Sequence, residues 1–265
     1  MAETHWNKLG AYLKETQILG SIQNTLYWDQ NTGMPKKGAS WRSEQLTYIA
    51  KVLHERNSSE EFSNLIQSAK NELADIERNS DNQLFIKDKE RNISLLLKEF
   101  NRERNLDPKL VESLAKAKSK GYESWQEAKE KSDFKIFLPF FEELVKLRIE
   151  EAKQISIQCS PWETLAQPFE PELNLKWLNK IFQPLKETIP GLIRAINKSQ
   201  KNHWDLSPES QKNLCSKLLD EFGRDRDLVV VGQSPHPFSI TLGPNDFRIT
   251  TRIVEGEPLS SFLAT

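Results

Sequence analysis

Ser234-Pro-His-Pro-Phe-Ser-Ile-Thr-Leu-Gly-Pro-Asn-Asp-Phe-Arg-Ile-Thr-Thr-Arg252 is the stretch that departs from the helical periodicity of the rest of the chain. Phe238, Ile240 and Leu242 alternate with Ser239 and Thr241, Gly243-Pro-Asn245 interrupts, and Phe247, Ile249, Thr251 and Ile253 then alternate with Arg248, Thr250 and Arg252. Alternation on either side of a Gly-Pro-Asn break predicts a β-hairpin over about 235–253. Side chains two apart share a face, so Asp246, Arg248, Thr250 and Arg252 are expected on a polar face and Phe247, Ile249 and Ile253 against the core. A strand face of this kind holds charge and hydrogen-bond donors on a rigid platform.

Outward from the hairpin the text is helical. Towards the N-terminus, Trp6, Leu9, Leu13, Leu19, Ile22 and Leu26 recur at helical spacing up to the breaker Asn31-Thr-Gly-Met-Pro35, after which Ser40 is placed to cap a helix carrying Trp41, Leu46, Ile49 and Leu53. Leu65, Ile66, Leu73 and Ile76 form one further stripe, and Leu84, Ile93, Leu96, Leu97 and Phe100 another. Asp107-Pro108 and Ser207-Pro208 each pair an N-cap residue with proline at the first helical position. Ser132-Asp133 opens a helix with Phe137, Phe140, Phe141, Leu144, Val145 and Ile149 inward, and Cys159-Ser-Pro-Trp162 breaks it. Glu170 is expected to cap the next helix, which Pro184 and Pro190 are expected to bend or divide. Leu228 to Val231 reads as a short buried strand beside the hairpin. The fold class is therefore mainly α, a multi-helix body over residues 1–265 with one small antiparallel β-hairpin near the C-terminus, and no internal repeat or linker divides it.

Composition narrows the function classes. Lys and Arg number 37 against 38 Asp and Glu, a net charge of -1 with the signs interspersed, so no basic field recruits nucleic acid. The alternating lysines and glutamates over 116–131 read as a solvated helix face. No apolar run reaches the roughly 18 residues a membrane span needs, and Met1 to Trp6 lacks the regions of a secretory leader, so a cytoplasmic protein is expected. Two cysteines, Cys159 and Cys215, far apart and in no CxxC arrangement, read as inert thiols. No Gly-rich phosphate loop, serine elbow or cysteine–histidine dyad occurs.

His236-Pro-Phe238 followed by Asp246, Arg248 and Thr250 resembles the paired HPF and DxRxT signatures of the carboxypeptidase Taq family. A second block is similar to that family's WDxxTxMP element: Trp28, Asp29, Thr32, Met34 and Pro35, with Arg42 following. The spacing of Trp125, Phe134 and the helix from Glu142 to Ala152 also resembles the family, in commoner residue types. Two departures stand out: Phe169-Glu-Pro-Glu172 has glutamate where the family has glycine, and Val231-Gly-Gln-Ser-Pro235 lacks the acidic residue two positions before the serine.

The resemblance implies a helical zinc metallocarboxypeptidase that removes C-terminal residues from peptides. In that family the hairpin leads into an HExxH helix whose histidines bind zinc and whose glutamate is the general base. Here Glu257 to Thr265 corresponds to the start of that helix and no HExxH is present. The expectation is an N-terminal half that binds no catalytic zinc and hydrolyses nothing alone; the alternative is a helical binding module that pairs with a complementary C-terminal half or a full-length homologue. A homodimer is implied by the family only.

A catalytic zinc takes about three protein ligands with a carboxylate at hand. The four histidines, His5, His54, His203 and His236, include no i, i+4 pair, and His54-Glu-Arg-Asn-Ser58 places serine where a second ligand belongs, so no metal ligand is assigned. The candidate substrate-binding residues are Arg248, His236, Asp246 and Thr250. A guanidinium on a strand offers two parallel hydrogen bonds to a peptide's terminal carboxylate; an ion pair with Asp246 or a carboxylate from another helix is the other reading. His236, fixed between two prolines, either braces the hairpin or contacts substrate. Thr250 orients the arginine or bonds substrate backbone. Asp29 either accepts hydrogen bonds in its turn or belongs to a roof over the substrate groove.

Overall fold

The computed structural model describes residues 4–76, 83–171, 173–196 and 206–264. Glu172, His203 and the side chain of Leu263 lie outside the described residues. In chain order the elements are α1 (His5–Thr32), a 3-10 turn (Lys36–Gly38), α2 (Ala39–Asn57), α3 (Glu60–Ala74), α4 (Gln83–Arg104), α5 (Pro108–Lys131), α6 (Phe134–Ile155), α7 (Pro161–Ala166), α8 (Leu175–Ala195), α9 (Pro208–Glu221), β1 (Val229–Gln233), β2 (Ser239–Gly243), β3 (Asp246–Thr251) and α10 (Pro258–Ala264). The strands form one sheet in the order β1-β3-β2. The protein is mainly helical with a small sheet near its C-terminus, as its sequence implies.

The described residues fall into two compact units, Met1–Leu147 with Ser239–Arg248, and Arg148–Phe238 with Ile249–Thr265. In the first, Leu9 and Tyr12 of α1 pack with Phe62, Ile66, Ala69 and Leu73 of α3 and Ile93 and Phe100 of α4. Ile66 and Leu73 are buried as expected and Leu65 packs against the core partly buried, Phe62 and Ala69 complete the α3 stripe, and Ile76 is exposed. Tyr12 and Phe62 stack with ring centroids 5.3 Å apart, and the Tyr12 hydroxyl finds Arg56 O at 2.9 Å. Burying the ring therefore strands no polar atom. Leu110, Leu114 and Ala117 of α5 are buried as their spacing predicts. A Cβ on Gly121 would stand 2.9 Å from Leu144 Cδ1, which is why glycine occupies a helix interior where α5 meets α6.

The capping residues mostly stand where the sequence puts them. Asp107 accepts from Lys109 N, Ser207 from Ser210 N, and Ser160 forms a capping box with Glu163. Three expectations fail. Ser40 lies inside α2, which begins at Ala39 without a side-chain cap, and Trp41 is 71% exposed. Asn174, not Glu170, caps α8 through Trp177 N, with Glu163 Oε1 accepting from Leu175 N. Pro184 and Pro190 do not divide α8, and none of its residues is buried. The carbonyls those prolines leave without a partner, on Lys180 and Lys186, are free to bond water.

The second unit holds a buried polar knot. Gln211, wholly buried, donates to Leu206 O and Val254 O and accepts from the Ser261 hydroxyl at 2.9 Å. Nothing in the sequence marked Gln211: a polar residue in the first turn of a helix reads as solvent-facing.

Candidate functional site

The hairpin turns on Pro244-Asn245. Proline presets the first central position and Asn245, at φ 65, occupies the left-handed second one, the demand of a type II turn. The strands are shorter than expected, and Arg252 and Ile253 lie beyond β3.

The two sides of β3 do not divide into a buried apolar face and a solvent-facing polar one. Phe247, expected in the core, is 43% exposed, whereas Thr250 is 1% exposed, and Asp246 and Arg248 are partly buried. On the Phe247 side Ile249 is partly buried and Thr251 is buried, so both sides of the strand's second half are covered. β1, expected to be buried, is only partly so, with Val230 exposed.

Arg248 and Asp246, two apart on β3, form a bidentate pair: Nε donates to Oδ1 at 2.9 Å and Nη2 to Oδ2 at 3.0 Å. The hydrogen bonds from Arg248 hold the Asp246 carboxyl below the usual carboxylate range and raise the guanidinium's own pKa. One face of the guanidinium lies over the Trp28 ring, its central carbon 5.6 Å from the ring centroid. Among the described residues no acceptor is bound to Nη1.

The turn that presents Trp28 is made by the second sequence block. Thr32 Oγ1 donates to Trp28 O at 2.8 Å, and the N–H groups of Gly33 and Met34 both close on Asp29 O. The Asp29 carboxylate does not cap that turn; it accepts from Arg42 Nη2 at 2.7 Å. Arg42 also donates to Leu26 O and to Gln45 Oε1. On the same helix, Asn24 Nδ2 donates to Thr241 O of β2 at 3.0 Å. Two blocks more than two hundred residues apart in sequence thus meet at Arg248 and Trp28.

Thr250 touches neither Arg248 nor the surface. Its Oγ1 accepts from Phe238 N at 2.9 Å and lies 2.7 Å from Ser234 Oγ, which donates to His236 O at 2.7 Å. Ser234 Oγ points its proton at both Thr250 Oγ1 and His236 O, and Thr250 Oγ1 donates in turn to Phe238 O at 3.3 Å. Thr250 and Ser234 therefore hold the backbone of His236-Pro-Phe238 from both ends, while the His236 side chain is exposed. Ser234 is the residue that sequence reasoning passed over, although its position immediately before Pro-His-Pro is an available signal.

Among the described residues no three His, Cys, Asp or Glu side chains cluster to hold a metal ion. His54 is buried and its Nδ1 lies 3.0 Å from Glu103 Oε2. The described residues thus do not form a zinc cradle, and no step of the chemistry below is routed through one. Cys159 and Cys215 are free thiols. No helix among the described residues is long and apolar enough to cross a membrane.

The profile of the carboxypeptidase Taq (M32) metallopeptidases matches residues 8–265. The chain belongs to that family. It is 28% identical over 268 residues to Thermostable carboxypeptidase 1 of Thermus thermophilus, covering 96% of this chain and 51% of the relative. Carboxypeptidase 1 of Bacillus subtilis is 28% identical over 247 residues, covering 91% of this chain and 47% of the relative. A solved structure described as the BsuCP crystal structure superposes with a TM-score of 0.88 at 26% identity, over 99% of this chain and 52% of that one. Trypanosoma cruzi metallocarboxypeptidase 1 gives 0.76 at 25% identity, over 98% and 52%. The chain spans about half the length of the M32 relatives it matches.

Proposed function

We propose that this M32 chain supplies the substrate-holding wall of a zinc metallocarboxypeptidase, with Arg248 receiving the C-terminal carboxylate of a peptide. The observation that carries this reading is the division of labour around one guanidinium. Asp246 occupies its Nε–Nη2 edge, the Trp28 ring centroid lies 5.6 Å from its central carbon, and Nη1 has no acceptor among the described residues. A planar fork can serve two carboxylates at once, so the ion pair and the substrate contact are compatible, and Asp246 fixes the fork for the second ligand. His236 stands on the backbone that Ser234 and Thr250 hold. Asp246 and Thr250 act by positioning.

Hydrolysis itself needs metal ligands and a general base that this sequence does not contain, so these 265 residues alone cleave no peptide. In this reading the metal would be held by residues of the HExxH type, which are not among these 265, and the setting is cytoplasmic.

The test is calorimetric binding of an N-acetylated tetrapeptide and of its C-terminal amide to the purified chain. A charge-assisted bidentate contact is worth about 1.5–3 kcal/mol, so the free carboxylate should bind roughly 10- to 100-fold tighter. Arg248→Met should abolish the difference. Equal affinities in the unaltered chain, or stoichiometric zinc with peptide cleavage, would sink the reading.

A second reading, a binding module for a complementary C-terminal half or a second copy, is favoured by α8. Its apolar side, including Leu185, Ile189, Leu192 and Ile193, is exposed along the helix. Sedimentation equilibrium decides the homodimer: a monomer at all concentrations rejects it.

A further inference from the structure

We infer that Trp28 is a positioning residue for Arg248, so that the last turn of α1 aims the guanidinium of β3. This rests on the reading of Arg248 as the carboxylate receptor, and deepens it by naming what sets the receptor's direction.

Asp246 alone does not determine where the fork points. A bidentate pair between residues two apart on one strand fixes the plane of the guanidinium relative to its own strand, and leaves the pair free to swing about its side-chain torsions. A second, non-collinear contact is needed to stop that motion. The Trp28 ring provides it: the guanidinium carbon lies 5.6 Å from its centroid, within the range of an attractive cation–π contact. The ring can act as a stop because it is itself immobile. Trp28 is 8% exposed, and its carbonyl accepts from Thr32.

The turn below it is pinned as well. Arg42, whose side chain is 12% exposed, donates to Leu26 O, to the Asp29 carboxylate and to Gln45, bracing α1 on both sides of Trp28. The Asn24 bond to Thr241 O ties the same stretch of α1 to the hairpin. Each block residue therefore has a task that ends at Arg248: Thr32, Asp29 and Arg42 hold the turn, and Trp28 delivers its ring.

The experiment uses the full chain labelled with ¹⁵N and compares Trp28→Leu, Trp28→Phe and Arg248→Met. The Arg248 Nε–H resonance, assigned by its loss in Arg248→Met, should carry a ring-current shift that Trp28→Leu removes and Trp28→Phe largely keeps. The preference for free carboxylate over amide should fall roughly three- to tenfold in Trp28→Leu, with Trp28→Phe intermediate. An Nε–H resonance that stays in place in Trp28→Leu overturns the inference, as does an undiminished preference. Should Trp28→Leu fail to fold, Arg248→Met decides from the other side: the Trp28 indole resonance must move, and a stationary one overturns the contact. If the unaltered chain shows no preference, the carboxylate reading fails, while the two resonances still judge the positioning.

Discussion

Replacing Thr250 by Val tests the buried hydroxyl of β3 most directly. The two side chains have nearly the same volume, so packing is retained and the hydroxyl alone is removed. In the structure that hydroxyl accepts from Phe238 N at 2.9 Å and meets Ser234 Oγ at 2.7 Å. Valine leaves the Phe238 amide without its side-chain acceptor, while Ser234 Oγ loses the Thr250 oxygen and keeps His236 O. A group orphaned away from water costs about 1–3 kcal/mol, so Thr250→Val should destabilise the protein by about that much. Thr250→Ser keeps the chain of hydroxyls and loses one buried methyl, about 1 kcal/mol. Urea unfolding followed by tryptophan fluorescence gives both values, and the expected order of stability is Thr, then Ser, then Val. If Val equals or exceeds Ser, the hydroxyl chain does not hold the His236-Pro-Phe238 backbone and the description of this site is wrong.

Further outcomes can be measured on the same protein. The Asp246 carboxyl is held low by Arg248, so its contribution is present above the usual carboxylate pKa and is lost as pH falls through the lowered value. Asp246→Asn should therefore lose stability at neutral pH, by less than about 1 kcal/mol for a partly exposed pair, and converge with the parent in acid-unfolding curves. Tyr122 is pushed up to about 12, chiefly by burial, with Tyr27 adding to it. Its phenol keeps its proton after an unfolded tyrosine has lost one near pH 10, so this contribution is present below about 10 and disappears towards 12. Near-ultraviolet titration should show a late phenolate step that Tyr122→Phe removes. His54→Ala empties a buried site and strips Glu103 of its partner, and should lower stability by about 2–4 kcal/mol in thermal melts.

How much of this was legible differs from residue to residue. Asp107 and Ser207 announced helix starts because capping is a local contact, settled within three residues of chain. The hairpin's parity was legible for the same reason, since strand side chains alternate whatever lies around them. The burial of its residues was not. Hydrophobicity assigned Phe247 inward and Thr250 outward, yet Thr250 is 1% exposed and Phe247 is 43% exposed. Thr250 meets Ser234 and Phe238, and Arg248 lies beside Trp28, partners brought from elsewhere in the chain, and no local pattern reports on such partners.

By itself, the order of residues determined that the chain is helical, where most helices begin, where it doubles back at Pro244-Asn245, and which two short blocks carry the family's signature. These are properties of neighbours, and neighbours are fixed by covalent connection. Only the tertiary structure decided which residues of β3 are buried, that Arg248 pairs with Asp246 beside the ring of Trp28, and that Thr250 accepts from the Phe238 amide. Each of those depends on distances between residues far apart in the chain, which packing sets and composition leaves open.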